Sequence, residues 1–254
     1  MNPYNLNTGN GKKIYFLSDF HLGAPNRKAS LPREKKVIEF LNAIEPTAEA
    51  VFLLGDLFDF WFEYKYVIPK GFVRLQGKIA ELTDKGIPVY VFTGNHDMWM
   101  FGYLEEELGV KIFREPVEFV INQKTYLIGH GDGLGPGDYF YKCMKWVFHN
   151  PFFQWIFKMV PPAIGMGIAH YWSGKSRLNN QDDRFFGEEE FLFQYCTQEE
   201  TKKHRDAYIF GHRHLALDMN IKNQSRYVNI GDWIRYYTYA TIDENGLELK
   251  TWEK

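Results

Sequence analysis

Cysteine is scarce in this 254-residue chain, with Cys143 and Cys196 as the only two. They stand in no metal-binding or redox spacing, and a chain of this size does not depend on one disulfide, so both are expected as reduced thiols. No stretch reaches the roughly 18 uninterrupted apolar residues of a membrane-spanning helix. Met1 to Lys13 is polar without an apolar centre, which argues against a secretory signal or anchor there and makes a cytoplasmic location the expectation. Neither charge dominates: 30 basic residues against 32 acidic ones leave a net charge of -2. No global positive field therefore exists to draw in long nucleic acid, although a local patch can still hold one phosphate. Repeats, low-complexity tracts and long linkers are also missing, so residues 1–254 are expected to form one domain.

Aromatic side chains are abundant instead: 22 Phe, 16 Tyr and 7 Trp make up 18% of the chain. Some of them sit in short β-prone runs, Lys13 to Ser18, Ala50 to Leu54 and Val89 to Thr93, each ending in a polar cluster. Helical patterns lie between them, Arg33 to Ile44 and Val73 to Lys85, giving β-α-β-α-β with parallel, buried strands. Later strands are expected at Val117 to Ile121, Thr125 to Gly129, Ala207 to Gly211, Arg226 to Ile230, Tyr237 to Ile242 and Leu247 to Trp252. Two facing sheets with helices outside make a four-layer α/β/β/α sandwich. The aromatic stretch beginning at Tyr139, broken by Pro151 and Pro161-Pro162, reads as a helical insertion, with residues 139–180 as its span.

The polar clusters carry the chemistry. Asp19-Phe20-His21, Gly55-Asp56-Leu57-Phe58-Asp59, Gly94-Asn95-His96-Asp97, Gly129-His130 and Gly211-His212-Arg213-His214 each follow a predicted strand. Singly, each has an ordinary structural reading as a capped turn, a helix N-cap or a packed histidine. Together they hold five of the eight histidines, each beside a strand end where open α/β sheets bind ligands. Carboxylates, imidazoles and an amide without thiolates suit divalent ions such as Mn, Fe or Zn. Two ions roughly 3.5 to 4 Å apart need a ligand that touches both, and Asp56 is the candidate for that bridge.

The ordered set D-x-H, G-D-x-x-D, G-N-H-D, G-H and G-H-x-H resembles the calcineurin-like metallophosphoesterase superfamily over essentially the whole chain. The resemblance implies the four-layer sandwich and two divalent metal ions, with Mn expected first. It places Asp19, His21, Asp56 and His214 around one ion, and Asp56, Asn95, His130 and His212 around the other. His96 then stabilises the transition state or protonates the leaving group without binding metal, oriented by Asp59. Ser18 lacks the setting of a nucleophile elbow, and the Gly-rich run from Gly129 to Gly137 lacks a P-loop ending.

The segments between motifs are similar to the UDP-2,3-diacylglucosamine pyrophosphatase family of lipid A biosynthesis, whose members yield lipid X and UMP. The matching residues are His130-Gly131-Asp132-Gly133-Leu134, Asp138, Tyr141, Lys145, His149-Asn150-Pro151 and Ser173-Gly174-Lys175, with Gly55-Asp56-Leu57-Phe58-Asp59-Phe60-Trp61 upstream. That likeness implies a lipid-linked UDP-sugar as partner, peripheral contact with a membrane, and Asp138, Tyr141, Ser173 and Lys175 near the head group. Many members of that family carry Arg at the position of His96, while a related branch carries His. Two readings of the insertion stay open: its aromatics receive acyl chains or a bilayer headgroup region, or they pack it onto the core. A phosphodiesterase or nucleotide phosphatase on a small soluble substrate is the alternative activity. A non-catalytic scaffold is disfavoured by the seven intact ligand positions.

Overall fold

The computed structural model describes residues 4–137, 139–168 and 184–253. Two six-stranded sheets form its centre. One sheet holds β2 (Lys13–Leu17), β3 (Ala48–Leu54), β4 (Val89–Phe92) and β5 (Lys111–Phe113) as parallel neighbours, with β11 (Thr238–Asp243) antiparallel beside β2 and β12 (Gly246–Thr251) antiparallel beside β11. The other runs in the order β1 (Tyr4–Leu6), β6 (Val117–Ile121), β7 (Lys124–Ile128), β8 (Ala207–Phe210), β10 (Arg226–Ile230) and β9 (Ala216–Asn220).

Period-two alternation sorts the side chains into layers. Ile14, Phe16, Ala50, Phe52 and Leu54 of the first sheet meet Phe119, Ile121, Ile128, Ile209, Val228 and Ile230 of the second, forming the core between the sheets. The alternate residues Tyr15, Leu17, Val51 and Leu53 face outward to α1 (Arg27–Ile44), α2 (Val73–Asp84) and α3 (Tyr103–Leu108). On the far side Leu127, Tyr208, Phe210 and Tyr227 pack against Leu192 and Cys196 of α6 (Phe191–Lys202). The result is the expected α/β/β/α sandwich.

α1 begins before the predicted Arg33, because Asn26 accepts the Ala29 N–H at 2.9 Å and caps the helix there, with Pro32 lying inside it. β1, β5, β9, α3 and α6 have no counterpart among the sequence expectations. The insertion comprises α4 (Tyr139–His149), α5 (Pro151–Met159) and a further helical stretch at 162–168, with Asn150 capping α5. Ser173, Lys175 and the rest of the insertion to 180 lie outside the described residues, as does Asp138. Among the described residues no helix is long and apolar enough to cross a membrane.

Candidate metal centre

The parallel strands β2, β3 and β4 end on the same edge, and β7 and β8 end beside them, so the five polar clusters converge. The turns are tight. Asp19, His21, Asp56, His212 and His214 all have positive φ, between 42° and 69°. Such backbone costs about 1 to 3 kcal/mol per residue and persists where surrounding contacts over-determine it, typically at functional sites. Gly94 and Gly211 allow the close approach: a Cβ on Gly94 would lie 2.2 Å from Asp56 Oδ1, and one on Gly211 2.1 Å from Ser18 Oγ.

The candidate ligands fall into two groups. In one, Asp19 Oδ1 lies 3.3 Å from His214 Nε2 and 3.7 Å from His21 Nε2, while the two Nε2 atoms are 3.2 Å apart. In the other, Asp56 Oδ2 lies 3.4 Å from His130 Nε2, with His212 in the same group and the Asn95 amide oxygen 3.4 Å from His130 Nε2. Asp56 Oδ2 is also 3.5 Å from His21 Nε2, so one carboxylate faces both groups. The atoms of Asp19, His21 and His214, and those of Asp56, His130 and His212, lie within 4.8 Å of one another in each group. Asp19 Oδ1 is buried without a hydrogen-bond partner, an arrangement a divalent cation would complete. The residues present therefore fit two ions.

Neighbouring groups fix these side chains. His130 Nδ1 donates to the Leu54 carbonyl at 2.6 Å, leaving Nε2 for a ligand. His214 Nδ1 lies 3.3 Å from Asp232, whose other oxygen accepts the N–H groups of Ile234, Arg235 and Tyr236. His96 Nδ1 is 2.9 Å from the Asp59 carbonyl oxygen and 3.9 Å from its carboxylate, so it is the backbone of Asp59 that orients the ring. Asp97 ties two turns together by accepting the N–H of Leu57 at 2.7 Å and of Gly94 at 2.8 Å. Tyr141 reaches the site through Asp132, donating to its carboxylate at 2.6 Å, and Lys145 bonds the same carboxylate at 2.9 Å.

The electrostatics favour charged carboxylates among imidazoles. Burial works against the charge of Asp19, but His214 and His21 outweigh it and hold the carboxyl at about 2. Burial likewise opposes the Asp56 charge, and His130, His96 and His21 together keep its pKa well below the usual value. Burial pushes His21 down to about 4 and His212 to about 3, leaving them neutral and ready to ligate. His130 is also buried, but Asp56 and Asp19 overcome that and raise it to about 10, a proton standing where a cation would. Asp97 rises to about 7 through burial and the adjacent Asp56 charge.

Asp97, Asp132 and Asp232 are supports to which the sequence reading assigned no role. Gly231-Asp232 follows a predicted strand in the same way as Gly55-Asp56, so a signal was present.

Residues 12–216 match the model of the calcineurin-like phosphoesterase family. The chain belongs to that family. It is thus a metal-dependent hydrolase of phosphoric esters or anhydrides, and the family and the two ligand groups agree on divalent metal ions. The chain is 37% identical to a UDP-2,3-diacylglucosamine hydrolase of Porphyromonas gingivalis over 95% of its length and 98% of that protein. A protein of the same name from Vibrio vulnificus is 32% identical, covering 92% of this chain and 96% of its own. A dimetal phosphatase from Danio rerio superposes with a TM-score of 0.46 at 11% identity, over 95% of this chain and 96% of that one.

The metallophosphoesterase centre opens beside the insertion, whose aromatic residues divide between two faces. Phe148 and Phe157 turn inward: Phe157 lies 4.7 Å from Phe62 and 6.0 Å from Trp99, and Phe148 lies 5.2 Å from Trp99. Trp146, Phe152, Trp155 and Met159 are more than half exposed, with Phe153 and Ile156 partly so. The packing reading thus holds for Phe148 and Phe157, while the exposed rings do not pack onto the core.

Proposed function

We propose that this metallophosphoesterase hydrolyses the pyrophosphate of UDP-2,3-diacylglucosamine, giving 2,3-diacylglucosamine 1-phosphate (lipid X) and UMP. Asp56 facing both ligand groups is the observation that carries the chemistry. The near full-length relatives named for that substrate support its identity.

In this reading Asp19, His21, Asp56 and His214 hold one ion, and Asp56, Asn95, His130 and His212 hold the other, with Mn as the native metal. Ions held there would supply positive charge at the phosphoryl oxygens and lower the pKa of water, so no side-chain nucleophile is required. Asp56 would serve both ions through its charged carboxylate, whose Oδ2 faces both groups while Oδ1 accepts the His96 N–H at 2.9 Å; a neutral amide would lack that charge. His96 acts outside the coordination sphere. Because a carbonyl only accepts, Nδ1–H must donate to Asp59, and Nε2 offers a proton to the leaving oxygen in the imidazolium form alone. Tyr141 contributes to the head-group side through its bond to Asp132, and Asp138, Ser173 and Lys175 are assigned to the same side by the resemblance.

The exposed face of α4 and α5 is the acyl-binding and membrane-facing surface in this proposal. Along the sequence its aromatics alternate with Lys142 and Lys158, a pattern suited to apolar chains below an anionic head group. The protein then works as a peripheral one at the inner face of the cytoplasmic membrane, as a single domain carrying the cap. The deciding experiment is product analysis with UDP-2,3-diacylglucosamine and Mn2+. Lipid X and UMP in equal amounts are expected. Turnover of soluble phosphodiesters with none of the lipid-linked sugar would overturn the substrate while leaving the metal chemistry intact.

A further inference from the structure

Arg213 stands between two of the proposed ligands, His212 and His214, and is itself only 5% exposed. A cation in that position needs a fixed partner. It has one in Glu190, which is completely buried: Arg213 Nε donates to Oε2 at 2.7 Å and Nη2 to Oε1 at 3.1 Å, a bidentate pair. Nη2 also donates to the Arg184 carbonyl at 2.9 Å, and the guanidinium lies within 6 Å of the Phe186 and Phe191 rings. Glu190 in turn accepts the Phe186 N–H at 3.0 Å, and Phe191 sets its ring edge to face on His212 at 6.0 Å. Residues 184–191, which lead into α6, are thus bolted to the turn bearing both imidazoles.

That turn needs an external hold. His212 and His214 have φ of 69° and 53°, so two strained residues flank Arg213, and their rings belong to different ligand groups. Backbone bonds supply part of the hold, with Asp19 Oδ2 accepting the His212 N–H at 3.0 Å. The side chain that leaves the turn on the other side is Arg213. We infer that Arg213 and Glu190 are positioning residues for the two-metal centre: their buried ion pair sets the angle between His212 and His214 and couples metal occupancy to residues 184–191. The inference rests on the metal assignment above, and neither residue touches metal or substrate in it.

The test uses the full chain stripped of metal by chelation. Mn2+ binding is titrated in wild type, in Arg213→Lys, which keeps the charge and loses the fork, and in Glu190→Gln, which keeps the shape and loses the charge. Wild type should take up two ions. The variants should bind them about 10- to 100-fold more weakly, the usual cost of losing an outer support of a ligand, and saturating Mn2+ should restore most of kcat. A merely structural pair would lower the melting temperature and leave Mn2+ affinity unchanged in the folded fraction, which would overturn the inference. Amide hydrogen exchange on wild type needs no variant: Mn2+ should slow exchange at 184–191 together with 211–214. Protection at 211–214 with none at 184–191 would also overturn it. Wild type binding no Mn2+ would instead remove the metal assignment itself.

Discussion

Truncating the exposed rings of the insertion should separate chain binding from packing, because the two sets of aromatics occupy different faces. Trp155 and Phe153 are 57% and 40% exposed, so the double change Phe153→Ser with Trp155→Ser removes little packing. Surface changes of this kind stay within about 0.5 kcal/mol each, or at most a few degrees in melting temperature for a chain of this size. If acyl chains lie against these rings, losing contact with the equivalent of three methylenes at about 0.8 kcal/mol each removes about 2.4 kcal/mol. That corresponds to about 60-fold in kcat/KM for a diacyl UDP-sugar, mostly through KM. A short soluble phosphodiester, which has no chains, should lose less than about twofold. Phe157→Ala is the packing control. Its half-buried ring on Phe62 and Trp99 should cost about 2 to 3 kcal/mol, lower the melting temperature by about 6 °C and reduce both activities together. Equal losses on the two substrates in the Phe153/Trp155 variant, with a melting temperature as low as that of the control, would refute the acyl-binding face.

His96→Ala should reduce kcat by about 10² to 10⁴ through lost charge stabilisation or proton transfer, with bound metal measured at the wild-type level. Asp97→Asn should lower the melting temperature of the metal-free protein, since an amide cannot accept the N–H groups of both Leu57 and Gly94 with two equivalent oxygens; an unchanged value would dismiss its anchoring role. His130 keeps its proton to about 10 in the metal-free protein, so Mn2+ must displace it. Affinity should then rise between pH 6 and 8 by up to about tenfold per unit, with proton release seen by calorimetry in two buffers, whereas pH-independent binding would contradict the assignment. With a thiol reagent Cys143, exposed on α4, should react in the native protein, while Cys196, buried with its pKa raised by that burial, should react only after unfolding.

The centre of the fold was legible because its sheet residues obey period-two alternation and its chemistry sits at strand ends. Lys13 to Leu17 and Ala48 to Leu54 pair as parallel neighbours as the pattern required, and the clusters after them converge. Elements with weak local signals were not legible. β1 and β5 span three residues each, and β1 is defined by its partner β6, more than a hundred positions away. β9 is an edge strand whose alternate residues face water, so Leu217 and Met219 carry its whole apolar signal. In α6 the buried set is Leu192, Cys196 and Glu200, too few apolar positions for a helical period to emerge. At the site, the residues that converge were marked by chemistry and spacing, whereas the groups supporting them were not. The contact between Asp59 and His96 runs chiefly through the Asp59 carbonyl, and backbone direction is invisible in a motif. Arg213 stood in plain view within Gly-His-Arg-His, but its partner Glu190 is remote in sequence and set by tertiary packing alone.

Asp56 as the proposed bridge is the point on which the two-metal proposal stands, and its direct measurement is the number of Mn2+ ions bound per chain, with turnover, in wild type and Asp56→Asn. The account predicts two ions and full turnover in wild type, and in the variant weakened occupancy of both positions with most activity gone, because a neutral amide cannot join two cations. Two ions held as tightly in Asp56→Asn as in wild type, with near-normal turnover, would contradict it.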